Sequence, residues 1–231
     1  MEKLNRTRII ALLVLFALYA LIGQWIYMQS GIFIHRAIIW NVILAILPAI
    51  FIEFFFQAFN RHKKGIALLM LIIWLLLFPN VPYLMTDFIH ISPLTFYLLT
   101  ENGSYYLREV LPWLELSHIA LGVWFGMMVG YRSLYRLQMF ITHHYPARYA
   151  WLMSVLVSLL SGYGVFLGRF LRLNSWDILH PYSLIENIME NNDHFALNFT
   201  LFFSFFIFAT YAIYYVMVHR KEQENENIIC K

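Results

Sequence analysis

The sequence predicts an all-α integral membrane protein: a bundle of six transmembrane helices, the third one broken between Pro79 and Pro82. Three observations carry this. The chain of 231 residues is 61% hydrophobic and only 13% charged, so it lacks the polar surface to cover itself in water. It contains six mostly apolar windows near the length of about 20 residues that a helix needs to cross some 30 Å of hydrocarbon. Its Lys and Arg residues divide 12 to 4 between the two sets of connections, which is the bias that orients membrane helices.

The first window, 9–28, follows Arg6 and Arg8 and begins like a secretory leader. No small-x-small cleavage site follows, and apolar character runs on to Met28, so it is read as an uncleaved span. The second, 37–59, carries Glu53 about a turn from its end, within reach of water or Arg61. The third, 66–91, is apolar without interruption only over 66–78, roughly 20 Å of helix. Pro79-Asn80-Val81-Pro82 then removes two backbone donors and disfavours helix before each proline. Helical pattern resumes at Tyr83, with Asn80 placed as an N-cap. The fourth window, 114–131, holds Gly122, Gly126 and Gly130; the fifth, 149–170, holds Ala150, Ser154, Ser158 and Gly162. Small residues four apart let helices approach closely, so these two spans are expected to pack on each other. The sixth is 196–218. Backbone groups in lipid must be satisfied within the segment, which makes each window a helix. With no internal repeat, residues 1–231 are read as a single transmembrane domain.

Twelve of the 16 basic residues, from Lys3 to Lys231, lie on the side that holds both termini. Eight of the 13 acidic residues lie on the other side, from Asp87 to Asp193. Both termini are therefore expected in the cytoplasm. The net charge of +3 is spread over short loops without a basic, aromatic-interleaved tract, which argues against nucleic acid as a partner. The single cysteine, Cys230, excludes an intrachain disulfide.

Two polar clusters stand at the outer ends of the third and fifth spans. Tyr83, Thr86, Asp87 and His90 fall on one helical stripe, which is costly at lipid depth unless it faces protein, ligand or water. The plain alternative is a segment lying in the headgroups with its polar side wet. Arg169 and Arg172 lie three apart beyond Gly164 and Gly168, and an arginine fork suits carboxylate or phosphate. The plain alternative there is snorkelling to lipid phosphates. With Asn80 and Asn174, these residues (Tyr83, Thr86, Asp87, Arg169, Arg172) form the expected ligand-binding set. A half-helix opening at Asn80 would present its positive end to an anion. Asp87, His90 and Asp177 are the candidate acid–base residues if the protein is an enzyme. Asp87 with His90 and Glu115 with His118 repeat a carboxylate-x-x-His spacing that could hold a divalent metal, a weaker alternative that arises easily by chance. A rhomboid-type protease is set aside because Leu159-Leu160-Ser161-Gly162 lacks the first glycine of Gly-x-Ser-Gly. Haem is set aside because, of nine histidines, most lie in loops and only His118 falls inside an unbroken apolar run, near its end. No cofactor is expected.

Phe78-Pro79-Asn80-Val81-Pro82-Tyr83 with Thr86-Asp87, and Gly168-Arg169-Phe170-Leu171-Arg172 with Asn174-Ser175-Trp176-Asp177, resemble the signature segments of a bacterial multispan membrane protein family. It is catalogued as domain of unknown function thirteen sixty-one. Val81 stands where alanine is more usual. The resemblance covers the second to the sixth span; it implies a bacterial host and carries no activity. The sequence thus points to a multi-pass protein of a bacterial cytoplasmic membrane with an outward-facing polar pocket for an anionic lipid or envelope ligand. The alternatives are an envelope-acting enzyme whose arginines hold phosphate, and a structural protein locked by Arg–Asp pairs.

Overall fold

The structure, a computed structural model, describes residues 6–101, 103–173, 177, 180–190 and 193–229. Its helices are α1 (Arg6–Ser30), α2 (Ile34–Asn60), α3 (Lys64–Leu77), α4 (Asn80–Tyr83), α5 (Leu111–His144), α6 (Ala147–Phe170), α7 (Pro181–Glu190) and α8 (His194–Ile229). A 3₁₀ segment, Leu84–Ile91, follows α4, and β1 (Tyr97–Thr100) pairs antiparallel with β2 (Gly103–Tyr106). Six stretches are long and apolar enough to cross a membrane: Leu13–Ser30, Ile34–Asn60, Lys64–Ile91, Leu111–His144, Ala147–Phe170 and His194–Arg220. The all-α multispan fold expected from the sequence is the fold observed. Leu21, Met28, Trp124, Phe202 and Phe205 are each more than 60% exposed. A soluble protein does not present apolar surface on that scale, whereas lipid-facing helices do.

The helices run past their hydropathy windows, and in α2 and α5 the extra turns reach the interior. α2 begins at Ile34, which brings His35 into the helix and into the interior. α5 runs on to His144. Beyond Tyr131 the arginines depress local hydropathy, yet the helical period persists: Tyr131, Leu134, Tyr135, Leu137 and Gln138 are buried while Arg132 is exposed. The hairpin was not anticipated. Its four-residue strands are exposed throughout, and the turn ends on Gly103 at φ 118°, a backbone that an L side chain resists. The Asn-Gly step after Leu98-Leu99-Thr100 was the available signal.

The third span breaks where the prolines fall. α3 ends at Leu77, Val81 N–H turns back to the Phe78 carbonyl at 2.9 Å, and Tyr83 N–H bonds the Pro79 carbonyl at 3.1 Å. That leaves the Leu77 carbonyl without a main-chain donor from Val81, and the Asn80 side-chain amide donates to it at 2.8 Å. Asn80 was expected to cap a new helix; it closes the end of the old one instead. The continuation is one α turn followed by 3₁₀, too short to present the helix dipole expected of a half-helix. Asn80→Ala and Asn80→Asp, which both lose the donor, should each cost about 1 kcal/mol of stability. Thermal unfolding of the purified protein would show it; an unchanged midpoint in both would mean the bond contributes nothing.

The chain divides into two compact units, Met1–Ile43 with Leu84–Gly126 and Leu44–Tyr83 with Met127–Lys231. In the first, Ile26, Ile34, Ile38, Val42, Leu84 and Ile119 are buried. In the second, α6 packs along α8, and α4 touches α6. The small-residue ladder of α6 (Ala150, Ser154, Ser158, Gly162) is buried. The expected pairing with Gly130 of α5 is not what Gly162 makes. Gly162 lies against Ser204 and the Thr200 carbonyl of α8, Gly130 of α5 lies against Val81, and Gly122 lies against Tyr19 and Ile38. α5 reaches α6 through a polar residue: Gln138 Oε1 accepts from Ser154 Oγ at 2.9 Å and from the Tyr211 hydroxyl of α8 at 2.6 Å.

Candidate functional site

The ionisable side chains of the first unit are placed by α1, α2, the 3₁₀ segment and α5. Leu84, Thr86 and Asp87 are the buried residues of the 3₁₀ segment. Asp87 is 1% exposed and accepts from Asn41 Nδ2 of α2 at 2.8 Å. His90 is half-buried. In a 3₁₀ segment positions three apart align, so Leu84, Asp87 and His90 share a line and Thr86 falls off it, unlike the α-helical stripe expected.

Glu115 and His118 lie on one face of α5, and what they converge on is His35. Glu115 Oε1 stands 3.7 Å from His35 Nε2, and His35 Nδ1 stands 3.2 Å from His118 Nδ1. The Tyr19 ring stacks on His118, with centroids 4.3 Å apart and planes 9° from parallel. Two glycines make the room. A Cβ on Gly23 would come within 2.7 Å of His118 Cε1 and 2.8 Å of the His35 carbonyl, and one on Gly122 would press on Tyr19. His35 was missed because the second hydropathy window began after it. Its signal was its position one residue before Arg36, at the start of an apolar run. Among the described residues, no three His, Cys, Asp or Glu side chains are arranged to hold a metal ion.

In the second unit, Arg169 of α6 lies over the Tyr83 ring, 4.4 Å from its centroid. Gly168 permits the approach, since a Cβ there would come 3.2 Å from the ring edge. Tyr83 and Arg169 are thus brought together, both half-buried. Arg172 is exposed and takes a left-handed backbone, φ 56°. It turns the chain so that Leu173 N–H returns to the Leu167 carbonyl at 3.1 Å, beside the bond from Leu171 at 3.2 Å. Glycine or asparagine is the usual residue in such a position, and an arginine there is a costlier choice. Asp177 is half-buried. Asn174, Ser175 and Trp176 lie outside the described residues. Asp87 belongs to the first unit, and Tyr83, Arg169 and Arg172 to the second.

A family model described as Protein of unknown function (DUF1361) matches residues 40–210, which is well over half of the chain. No curated protein and no solved structure matches it.

Proposed function

We propose that this chain, which belongs to the DUF1361 family, is a membrane protein that binds an anionic ligand at the end of α6 through Arg169 and Arg172. The arrangement of Arg169 over Tyr83 carries this reading. A guanidinium laid on an aromatic face gains about 1 kcal/mol of attraction. The planar fork of donors that a guanidinium carries matches a phosphate or carboxylate. Arg172 adds a second cation, at a helix end where glycine would be easier. What arginine supplies there is its side chain, since the backbone would suit glycine better.

The positive-inside bias of the Lys and Arg residues supports reading these arginines as lying on the outer face of a bacterial cytoplasmic membrane, opposite both termini. The shared chemistry is a phosphate-type anion, from a lipid headgroup or from a soluble envelope ligand. The test reconstitutes the protein with phosphatidylglycerol in a phosphatidylcholine background and, separately, exposes it to inorganic phosphate. Retention is read by native mass spectrometry for the wild type, Arg169→Gln and Arg172→Gly. Each variant should weaken retention roughly tenfold, the loss of one charge-assisted hydrogen bond of about 1.5 kcal/mol. Loss in the lipid arm alone identifies a headgroup, and loss in the phosphate arm identifies a soluble anion. Arg172→Gly should also raise thermal stability by relieving the left-handed backbone. Unchanged retention of both anions in both folded variants would defeat the reading.

A further inference from the structure

The connection between the third span and α5 holds the β-hairpin, whose surface is unlike that of a loop in water. Tyr97, Leu98, Leu99, Tyr105 and Tyr106 are between 49% and 80% exposed. The register divides them between two faces. Tyr97 opposes Tyr106 and Leu99 opposes Ser104 on one face; Leu98 opposes Tyr105 and Thr100 opposes Gly103 on the other. Both faces are thus apolar and uncovered. The charges stand at the two ends, Glu101 at the turn and Arg108 with Glu109 at the base, all exposed.

The form of this surface says what covers it. A folded protein partner laid on one face of a hairpin leaves the other in water, whereas lipid surrounds both. Two strands alone are at best marginally stable in water, so a hairpin with neither face covered draws stability from its surroundings. It is also tethered at the bilayer, because the flanking candidate spans end at Ile91 and begin at Leu111. Residues 107–110 reach at most about 14 Å, so the base of β2 stays at the membrane surface. Phe96 packs on Trp113 in the first turn of α5, with ring centroids 5.0 Å apart, and this holds β1 to the same span. The backbone limits depth in the opposite direction. In a two-stranded sheet each strand keeps one free edge of N–H and C=O groups. Hydrocarbon offers those groups no partner, while headgroups and interfacial water do. Tyrosine suits that level, its ring apolar and its hydroxyl wet.

We propose that the β-hairpin is an anchor in the membrane interface. It lies in the boundary between headgroups and acyl chains, its long axis along the surface and its charged ends in water. Tyr97, Leu98, Leu99, Tyr105 and Tyr106 contact lipid from both faces. The partner is the bilayer surface itself, with no particular headgroup required. The anchor fixes the level at which the chain leaves the 3₁₀ segment and enters α5.

The test uses the full chain with its single cysteine replaced, Cys230→Ser, and one new thiol at a time: Leu99→Cys, Tyr105→Cys or Glu101→Cys. All three positions are exposed, so a spin label there displaces no packing. In phosphatidylcholine vesicles, depth is read as relaxation by oxygen, which concentrates in lipid, over relaxation by a water-soluble nickel complex. That ratio should be severalfold higher at Leu99 and at Tyr105, one on each face, than at Glu101. Should either variant fail to fold, Tyr106→Cys and Leu98→Cys sample the same two faces. A ratio on either face no higher than at Glu101 overturns the proposal, since that face would stand in water. So does spin–spin broadening that vanishes on dilution with unlabelled protein, which would make a second copy of this chain the occupant. The anion-retention assay does not read hairpin depth, so this proposal and the anion site can fail separately.

Discussion

Gly162→Leu is expected to abolish recovery of folded protein. The glycine is the contact point of α6 on α8: a Cβ built there meets Ser204 and comes within 2.8 Å of the Thr200 carbonyl. Backbone cannot give way as a flexible side chain can, so the helices must separate along the contact. In lipid no hydrophobic force restores them, because association rests on close packing. The cost should exceed 3 kcal/mol, above the usual range for overpacking. Gly162→Ala should fall between the wild type and the leucine variant. Leu160→Ala, on the same helix but 54% exposed, should be nearly silent. Yield of monodisperse protein after membrane extraction is the measurement. Equal yields for Gly162→Leu and Leu160→Ala would show that this face is not a contact.

Gln138→Leu is the second large effect. One amide oxygen of α5 accepts from Ser154 of α6 and Tyr211 of α8, all three side chains being buried. Leucine fits the volume but leaves the Tyr211 hydroxyl without this acceptor. Ser154 keeps its bond to the Ala150 carbonyl at 3.1 Å, so the damage falls on Tyr211. A buried hydroxyl deprived of its partner costs about 1–3 kcal/mol. Tyr211→Phe removes the donor instead and leaves the amide oxygen with Ser154. It should cost only about 0.6 kcal/mol, the average for a single side-chain hydrogen bond in a membrane protein. Unfolding of both variants in the same detergent decides it. If Tyr211→Phe proves the more damaging, Gln138 is not the junction of the three helices.

Both predictions rest on partners that the amino-acid pattern did not name. The glycine and serine spacings correctly marked close helix contacts, but spacing is a property of one helix. It gives the direction of a smooth face and not the helix that occupies it. α6 took α8, while Gly122 accepted Tyr19 and Gly130 accepted Val81. Arg136 shows the same limit. Hydropathy reads it as a loop residue past the end of the fourth span, yet it pairs with Glu53 and lies over the Phe56 ring at 4.8 Å. Glu53 was expected to seek water or Arg61.

The candidate site divides in the same way. Arg169 and Tyr83 were both singled out by residue type and position, and the fold stacks one on the other. Glu115 and His118 were noticed for their spacing, and their partner was sought on the wrong segment. His35 supplies it, a residue that a window average had placed in a loop.

What the sequence by itself determined is local and additive: six apolar lengths, the all-helical spanning structure that lipid enforces, and the break at Pro79 and Pro82. Each follows from the residues of one segment and the solvent around it. The tertiary structure decided what depends on two segments at once. Asn80 closes α3 because prolines on either side free the Leu77 carbonyl. His35, Glu115 and His118 meet because Gly23 and Gly122 let three helices draw close enough to bury them. Hydropathy sums the cost of each polar residue separately, so it cannot register that residues from different segments are gathered together in the interior.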